Sequence, residues 1–315
     1  MPSPPNSPAK TSGRSGSSST SKTLNPVSLM VDPLITGTAQ AGSEPTGESG
    51  RGGLAAGPPA DRPARKRDRH GGESGQRPGP PRRRLAPAVG LAFTPGMKRA
   101  ASALHTVLLP AAVKDSRQLW IMLHGLGDSV EGYRWMPEVF VLPTVNYLLV
   151  NAPDEYFGGY SWFDFEGDMQ PGIERSRRLL NELLARTAAD GFPPEQTILG
   201  GFSQGCLMAL EVAARYPHRL AGVVGISGFV RDVDGLLREL SPVAREQRFL
   251  VTHGTCDPLL PIEATRRDIA RLQAAGLNIT WRELPKEHTI AGRAEVELIR
   301  DFVRAALAGG DLPRE

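Results

Sequence analysis

The chain has 315 residues, enough for about two domains or for one domain with an extension, and its composition changes near residue 100. Residues 1–100 hold 15 of the 28 Pro, 15 of the 35 Gly, a single aromatic (Phe93) and 15 Lys/Arg against 6 Asp/Glu; residues 101–315 hold 22 against 28, so the net +3 averages a basic segment and an acidic one. No run of 18 apolar residues offers a transmembrane helix, the first 30 residues lack the apolar stretch of a secretory signal, and two cysteines cannot make a disulfide framework, so a cytoplasmic location is expected.

Residues 1–100 read as a disordered tail, because Pro, Gly, Ser and isolated charges cannot bury enough apolar area to offset the entropy of ordering. Two basic clusters, 62–69 and 82–84, would suit nucleic acid or anionic lipid, with a solvated tail lacking any ligand as the simpler expectation. A transit peptide is disfavoured by the acidic residues and the many Pro. A natural start at Met97 is a further reading, which makes 1–96 upstream sequence. Residues 101–315 are long enough for one sizeable core and read as a single domain. Strand signals fall at 104–109, 119–123 and 147–150, and a helix with one apolar face at 173–188. Then come a strand at 197–199, a helix at 203–216, strands at 221–226 and 249–252, a helix at 262–275, a strand at 279–284 and a helix at 293–307. Strands alternating with helices predict an α/β fold, a mostly parallel central sheet with helices on both faces.

In such sheets reactive groups sit beyond the carboxyl ends of the strands. The strand at 197–199 runs into Gly201-Phe202-Ser203-Gln204-Gly205 and then a helix. This Gly-x-Ser-x-Gly spacing places Ser203 on a tight strand-to-helix turn, where a side chain two positions either way would strike backbone. A serine nucleophile needs a base and an acid, in the chain order Ser, Asp/Glu, His. Of the histidines after Ser203, His218 reads as a helix-end cap and His253 as a packed group, which leaves His288, in the loop between the last strand and the last helix. Asp257, just after the strand at 249–252, is the first choice of acid and Asp232 the second. An oxyanion needs two backbone N–H donors. Gln204, next to the nucleophile, supplies one, and Leu126 in the Gly-rich loop 124–129 is the candidate for the other. Cys206 and Cys256 flank these positions and read as small buried hydrophobes, with a redox switch as the alternative. No metal-type Cys/His spacing is present.

His-Gly-Leu-Gly-Asp-Ser at 124–129, Ser-Trp-Phe-Asp-Phe at 161–165, Gly-Phe-Ser-Gln-Gly at 201–205, His-Gly-Thr-Cys-Asp-Pro at 253–258 and His288 occur in this order. Together they resemble the phospholipase/carboxylesterase family of α/β-hydrolases, which includes the acyl-protein thioesterases. The resemblance spans about 104–308. It implies Ser203, Asp257 and His288 as a triad, Leu126 and Gln204 as oxyanion donors, and Trp162 beside the substrate, with Asp164 supporting its loop. It implies a serine hydrolase that cleaves carboxylic esters or thioesters, on small molecules or acylated proteins, through an acyl-enzyme and with no cofactor or metal. One departure is Glu287, where many relatives carry Gly before the catalytic His; it puts the loop conformation in question. Tyr156, Phe157, Tyr160, Trp162, Phe163 and Phe165 could line an acyl pocket or simply pack. Two alternatives stand beside the hydrolase: a non-catalytic binding protein on this fold, and an esterase tethered by its basic tail to anionic lipid or nucleic acid.

Overall fold

The computed structural model describes residues 104–309. The expected basic tail and the alternative start at Met97 lie outside the described residues. A seven-stranded sheet organises the rest: β1 (Thr106–Leu109), β2 (Gln118–Leu123), β3 (Val145–Val150), β6 (Thr197–Phe202), β7 (Gly222–Ile226), β8 (Arg248–Gly254) and β9 (Asn278–Leu284). Their order across the sheet is β1-β3-β2-β6-β7-β8-β9. Only β1 runs antiparallel; β2 pairs in parallel with both β3 and β6, and β6 to β9 continue in parallel. A separate hairpin of β4 (Asp154–Tyr156) and β5 (Gly159–Ser161) leaves the end of β3.

The period-two alternation of the strands divides the core into two layers. Leu119, Ile121 and Leu123 of β2, Leu148 and Val150 of β3, Val223 of β7, and Phe249 and Val251 of β8 point to one face. There they meet α2 (Met169–Ala189), α3 (Gln204–Arg215), α4 (Val233–Arg238) and α5 (Ile262–Ala274). Trp120, Met122, Tyr147, Leu149, Ile198, Val224 and Leu250 point to the other face, against α1 (Met136–Phe140) and α6 (Gly292–Leu307). The α/β sandwich expected from the sequence is therefore present. Helix α3 is apolar almost all round, and every residue from Gln204 to Ala214 is buried, which makes it the central helix behind the sheet. Among the described residues no helix is long and apolar enough to cross a membrane.

Candidate active site

The end of β6 determines the local geometry. Ser203 has φ 55° and ψ −116°, a conformation that non-glycine residues seldom adopt and that costs on the order of 1–3 kcal/mol. The backbone around it holds this turn: Ser203 N–H donates to Ile226 O at 2.9 Å, and Ser203 O accepts from Cys206 N–H at 3.0 Å. A Cβ on Gly201 would fall on the Gly205 carbonyl, and one on Gly205 on the Leu123 carbonyl. Glycine at both positions is thus the steric condition for bringing strand and helix this close.

Two loops meet the serine. His288, between β9 and α6, lies with Nε2 2.9 Å from Ser203 Oγ and Nδ1 2.7 Å from Asp257 Oδ2. Phe202 packs on the imidazole, with ring centroids 5.0 Å apart. Asp257 is buried, and its second oxygen accepts the N–H groups of Leu259 and Leu260, each at 2.9 Å. Burial pushes the Asp257 carboxyl up, but the bonds from His288, Leu260 and Leu259 outweigh it and leave the group below its ordinary value. An ionised Asp257 accepts a hydrogen bond from Nδ1–H, so the unprotonated Nε2 is left to accept from the serine hydroxyl. Ser203, His288 and Asp257 thus form one continuous hydrogen-bond chain across three loops.

The other candidates fall elsewhere. Asp232 caps α4, accepting from Gly235 N–H at 2.9 Å. His218 is exposed and gives its carbonyl to Gln247 Nε2. His253 is buried; its Nε2 donates to Leu260 O at 2.8 Å and steadies the loop that carries Asp257. Cys206 is buried, and burial pushes its thiol up to about 12, whereas Cys256, expected to be buried, is exposed. The Cys256 N–H is tied to Lys286 O, which leaves its side chain at the surface. Glu287 is exposed and has no left-handed backbone, so the loop accepts a side chain there without strain.

Leu126 lies in the turn after β2, and Gln204 is the first residue of α3. A Cβ on the adjacent Gly125 would contact Phe202 and Ser203 Cβ at 3.1 and 3.3 Å, so this turn lies directly against the serine. Neither the Leu126 nor the Gln204 N–H has a hydrogen-bond partner among the described residues. The turn is fastened from behind: Gly127 N–H donates to Tyr160 O, and Tyr160 N–H to Asp128 O, both at 2.9 Å. Trp162, expected beside the substrate, has no exposed surface. Its indole N–H donates to His124 O at 3.0 Å and its backbone N–H to Gln204 Oε1 at 3.0 Å, so it supports the turn from inside. Phe163 is equally buried, whereas Phe157 at the tip of the hairpin is 92 % exposed, so the aromatic run divides between core and surface. Asp164 accepts from the N–H groups of Glu166 and Gly167, bracing its own loop.

Two supporting groups were not legible as such in the sequence. The Gln204 side chain also donates to Phe163 O at 3.0 Å, joining the serine turn to 161–163. The buried His124 ring accepts from Ala152 N–H at Nε2 (3.0 Å), which leaves Nδ1–H to donate to Gly125 O at 2.6 Å. Among the described residues no three His, Cys, Asp or Glu side chains converge as a metal site.

The chain is similar to known proteins in sequence and in fold. Residues 108–307 match the family described as Phospholipase/Carboxylesterase. Acyl-protein thioesterase 1 of Schizosaccharomyces pombe is 34 % identical over 171 residues, covering 50 % of this chain and 76 % of that protein. The crystal structure of esterase PE8 aligns with TM-score 0.58 at 28 % identity, over 65 % of this chain and all of the other. Acyl-protein thioesterase 2 of Zea mays shares the fold, with TM-score 0.55 at 24 % identity, over 64 % of this chain and 99 % of the other.

Proposed function

Because the chain belongs to the phospholipase/carboxylesterase family and is a hydrolase of esters or thioesters, we propose that it cleaves them through Ser203, His288 and Asp257. Ser203 Oγ attacks the carbonyl carbon while His288 Nε2 takes its proton. Asp257 holds the imidazole in the Nδ1–H tautomer and stabilises the imidazolium. The N–H groups of Leu126 and Gln204 donate to the oxyanion, aided by the positive end of α3. The imidazolium protonates the departing alcohol or thiol, leaving an acyl-serine. Water, deprotonated by His288, then releases the acid and restores Ser203. Trp162 acts as a positioning residue behind the oxyanion turn.

The hydrogen-bond chain from Ser203 Oγ through His288 to Asp257, at 2.9 and 2.7 Å, carries this reading. The names of the relatives direct the substrate toward thioesters of acylated proteins. A reducing cytoplasm suits the two free cysteines, Cys206 and Cys256. The test is hydrolysis of matched p-nitrophenyl esters and acyl thioesters from C2 to C16. Ser203→Ala should abolish turnover, and Asp257→Asn should lower kcat by about 10⁴ through the wrong imidazole tautomer. Undiminished turnover by folded Ser203→Ala protein would refute the assignment.

A further inference from the structure

The loop that carries His288 is short, and it is braced by a buried ion pair that the chemistry above does not use. Lys286 Nζ lies 2.6 Å from Glu295 Oε1, and the two side chains are only 3 % and 0 % exposed. The same ammonium donates to Thr289 O at 2.8 Å, so its bonds straddle His288 from the residue two before it to the residue just after it. Glu295, in the first turn of α6, is used at both oxygens. Oε1 also accepts the Thr252 hydroxyl at 2.7 Å, and Oε2 accepts the Ala291 N–H at 2.8 Å. Thr252 lies on β8, the strand that leads into Asp257. A further tie runs from Cys256 N–H, beside Asp257, to Lys286 O at 3.1 Å.

We propose that Lys286 and Glu295 are positioning residues that set His288 against Asp257 and Ser203. The proposal rests on the assignment of those three residues given above. Its geometric content is that one carboxylate joins three pieces of chain: the strand before the acid, the loop of the base and the start of the helix after it. The His288 imidazole must satisfy two hydrogen bonds at once, and a misplacement of about 1 Å can cost about 100-fold in rate. A buried ion pair is a poor source of net stability, since apolar residues of similar volume often do as well. Its value here is directional, because each bond aims at a backbone or hydroxyl group on a different segment. Burial pushes the Lys286 ammonium below its ordinary value although Glu295 opposes this, which fits a pair shielded from water.

The test compares the full chain with Glu295→Gln and with the paired variant Lys286→Met/Glu295→Gln. Lys286→Met alone would strand a buried carboxylate; the paired variant removes both charges and leaves an amide able to meet Thr252 or Ala291. Three measurements are made: steady-state kinetics (kcat and KM) on a p-nitrophenyl ester, the rate at which a fluorophosphonate labels Ser203, and the downfield proton resonance of the His288 Nδ1–H···Asp257 bond. The paired variant, folded by circular dichroism, should lose about 10- to 100-fold in kcat and in labelling rate with KM nearly unchanged, and the resonance should broaden or move upfield. A purely structural role would lower Tm and leave all three readouts at wild-type values per folded molecule, which overturns the proposal. Absence of Ser203-dependent turnover in the wild type would instead overturn the assignment itself, and the positioning role with it.

Discussion

Acid should loosen this protein through one imidazole in particular. His124 is 1 % exposed, and burial pushes it from an ordinary 6.5 to about 4, against a smaller upward pull from the Gly125 carbonyl. In the window between these values the unfolded chain binds a proton that the native state refuses. Stability held by the neutral ring is therefore intact above pH 6.5, falls as pH falls, and is exhausted near pH 4. At about 1.4 kcal/mol per pH unit the whole window is worth about 3 kcal/mol, of which about 2 kcal/mol is lost between pH 7 and pH 5. For a domain of this size that corresponds to a fall in Tm of about 4–8 °C. Asp257, held low, adds to the loss, while Asp128 and Glu211, raised by burial, oppose it. Comparison with His124→Gln cancels these terms, since the glutamine amide oxygen can accept the Ala152 N–H and does not titrate. Urea unfolding of both proteins at pH 7, 6 and 5 and constant ionic strength measures the difference. Wild type should converge on the variant by about 2 kcal/mol over that range. Parallel curves would refute the assignment of His124 as a buried neutral ring.

Two further outcomes follow from the loops. Gln204→Ala keeps the backbone N–H at the serine turn but strips the Trp162 N–H of its partner, at about 1–3 kcal/mol for a buried group left unpaired, while the Phe163 carbonyl keeps the Ser161 hydroxyl at 2.7 Å. Thermal unfolding should show that loss, and ester turnover should fall with it as 161–163 loosens. Glu287→Gly should leave kcat and KM near wild type, because Glu287 is exposed and has no left-handed backbone. It should cost about 0.5–1 kcal/mol through the freer unfolded chain, measured by denaturant midpoint. A gain in stability would mean that the loop strains the glutamate after all.

The sequence pattern exposes the larger elements because their periodicities differ. The apolar runs of the fully buried strands β3 and β6 and the single-faced helix α2 are visible in the residues alone. Helix α2 nevertheless starts at Met169, four residues before the expected start, because Asp168 caps it and Pro171 sits in the first turn, where a missing N–H costs nothing. The hairpin β4–β5 escapes notice because Phe157, not the usual Gly or Asn, takes a positive φ of 45° at its turn. The antiparallel direction of β1 is set by pairing with β3 and leaves no mark in its own four residues. At the site, chain order and the Gly-x-Ser-x-Gly spacing nominate Ser203, Asp257 and His288, and the fold brings them within hydrogen-bonding distance. The Gln204 side chain, the His124 ring and the Lys286–Glu295 pair carry no such signal. Their partners are defined only once distant segments meet, as with Gln204 and Trp162, 42 positions apart.

The order of strands has a consequence for how this protein can be assayed. Ser203 and His288 are 85 residues apart, and the turn with Leu126 belongs to a strand far earlier still. The constellation needs the ends of β2, β6, β8 and β9 all in place, and contacts of such sequence separation form slowly during folding. Regain of turnover after denaturation therefore reports the docking of β9 and α6, which carry the base, whereas circular dichroism reports helix formation anywhere in the chain. A lag of turnover behind the dichroism signal would time the arrival of that edge, and coincident recovery would place it with the rest of the sheet.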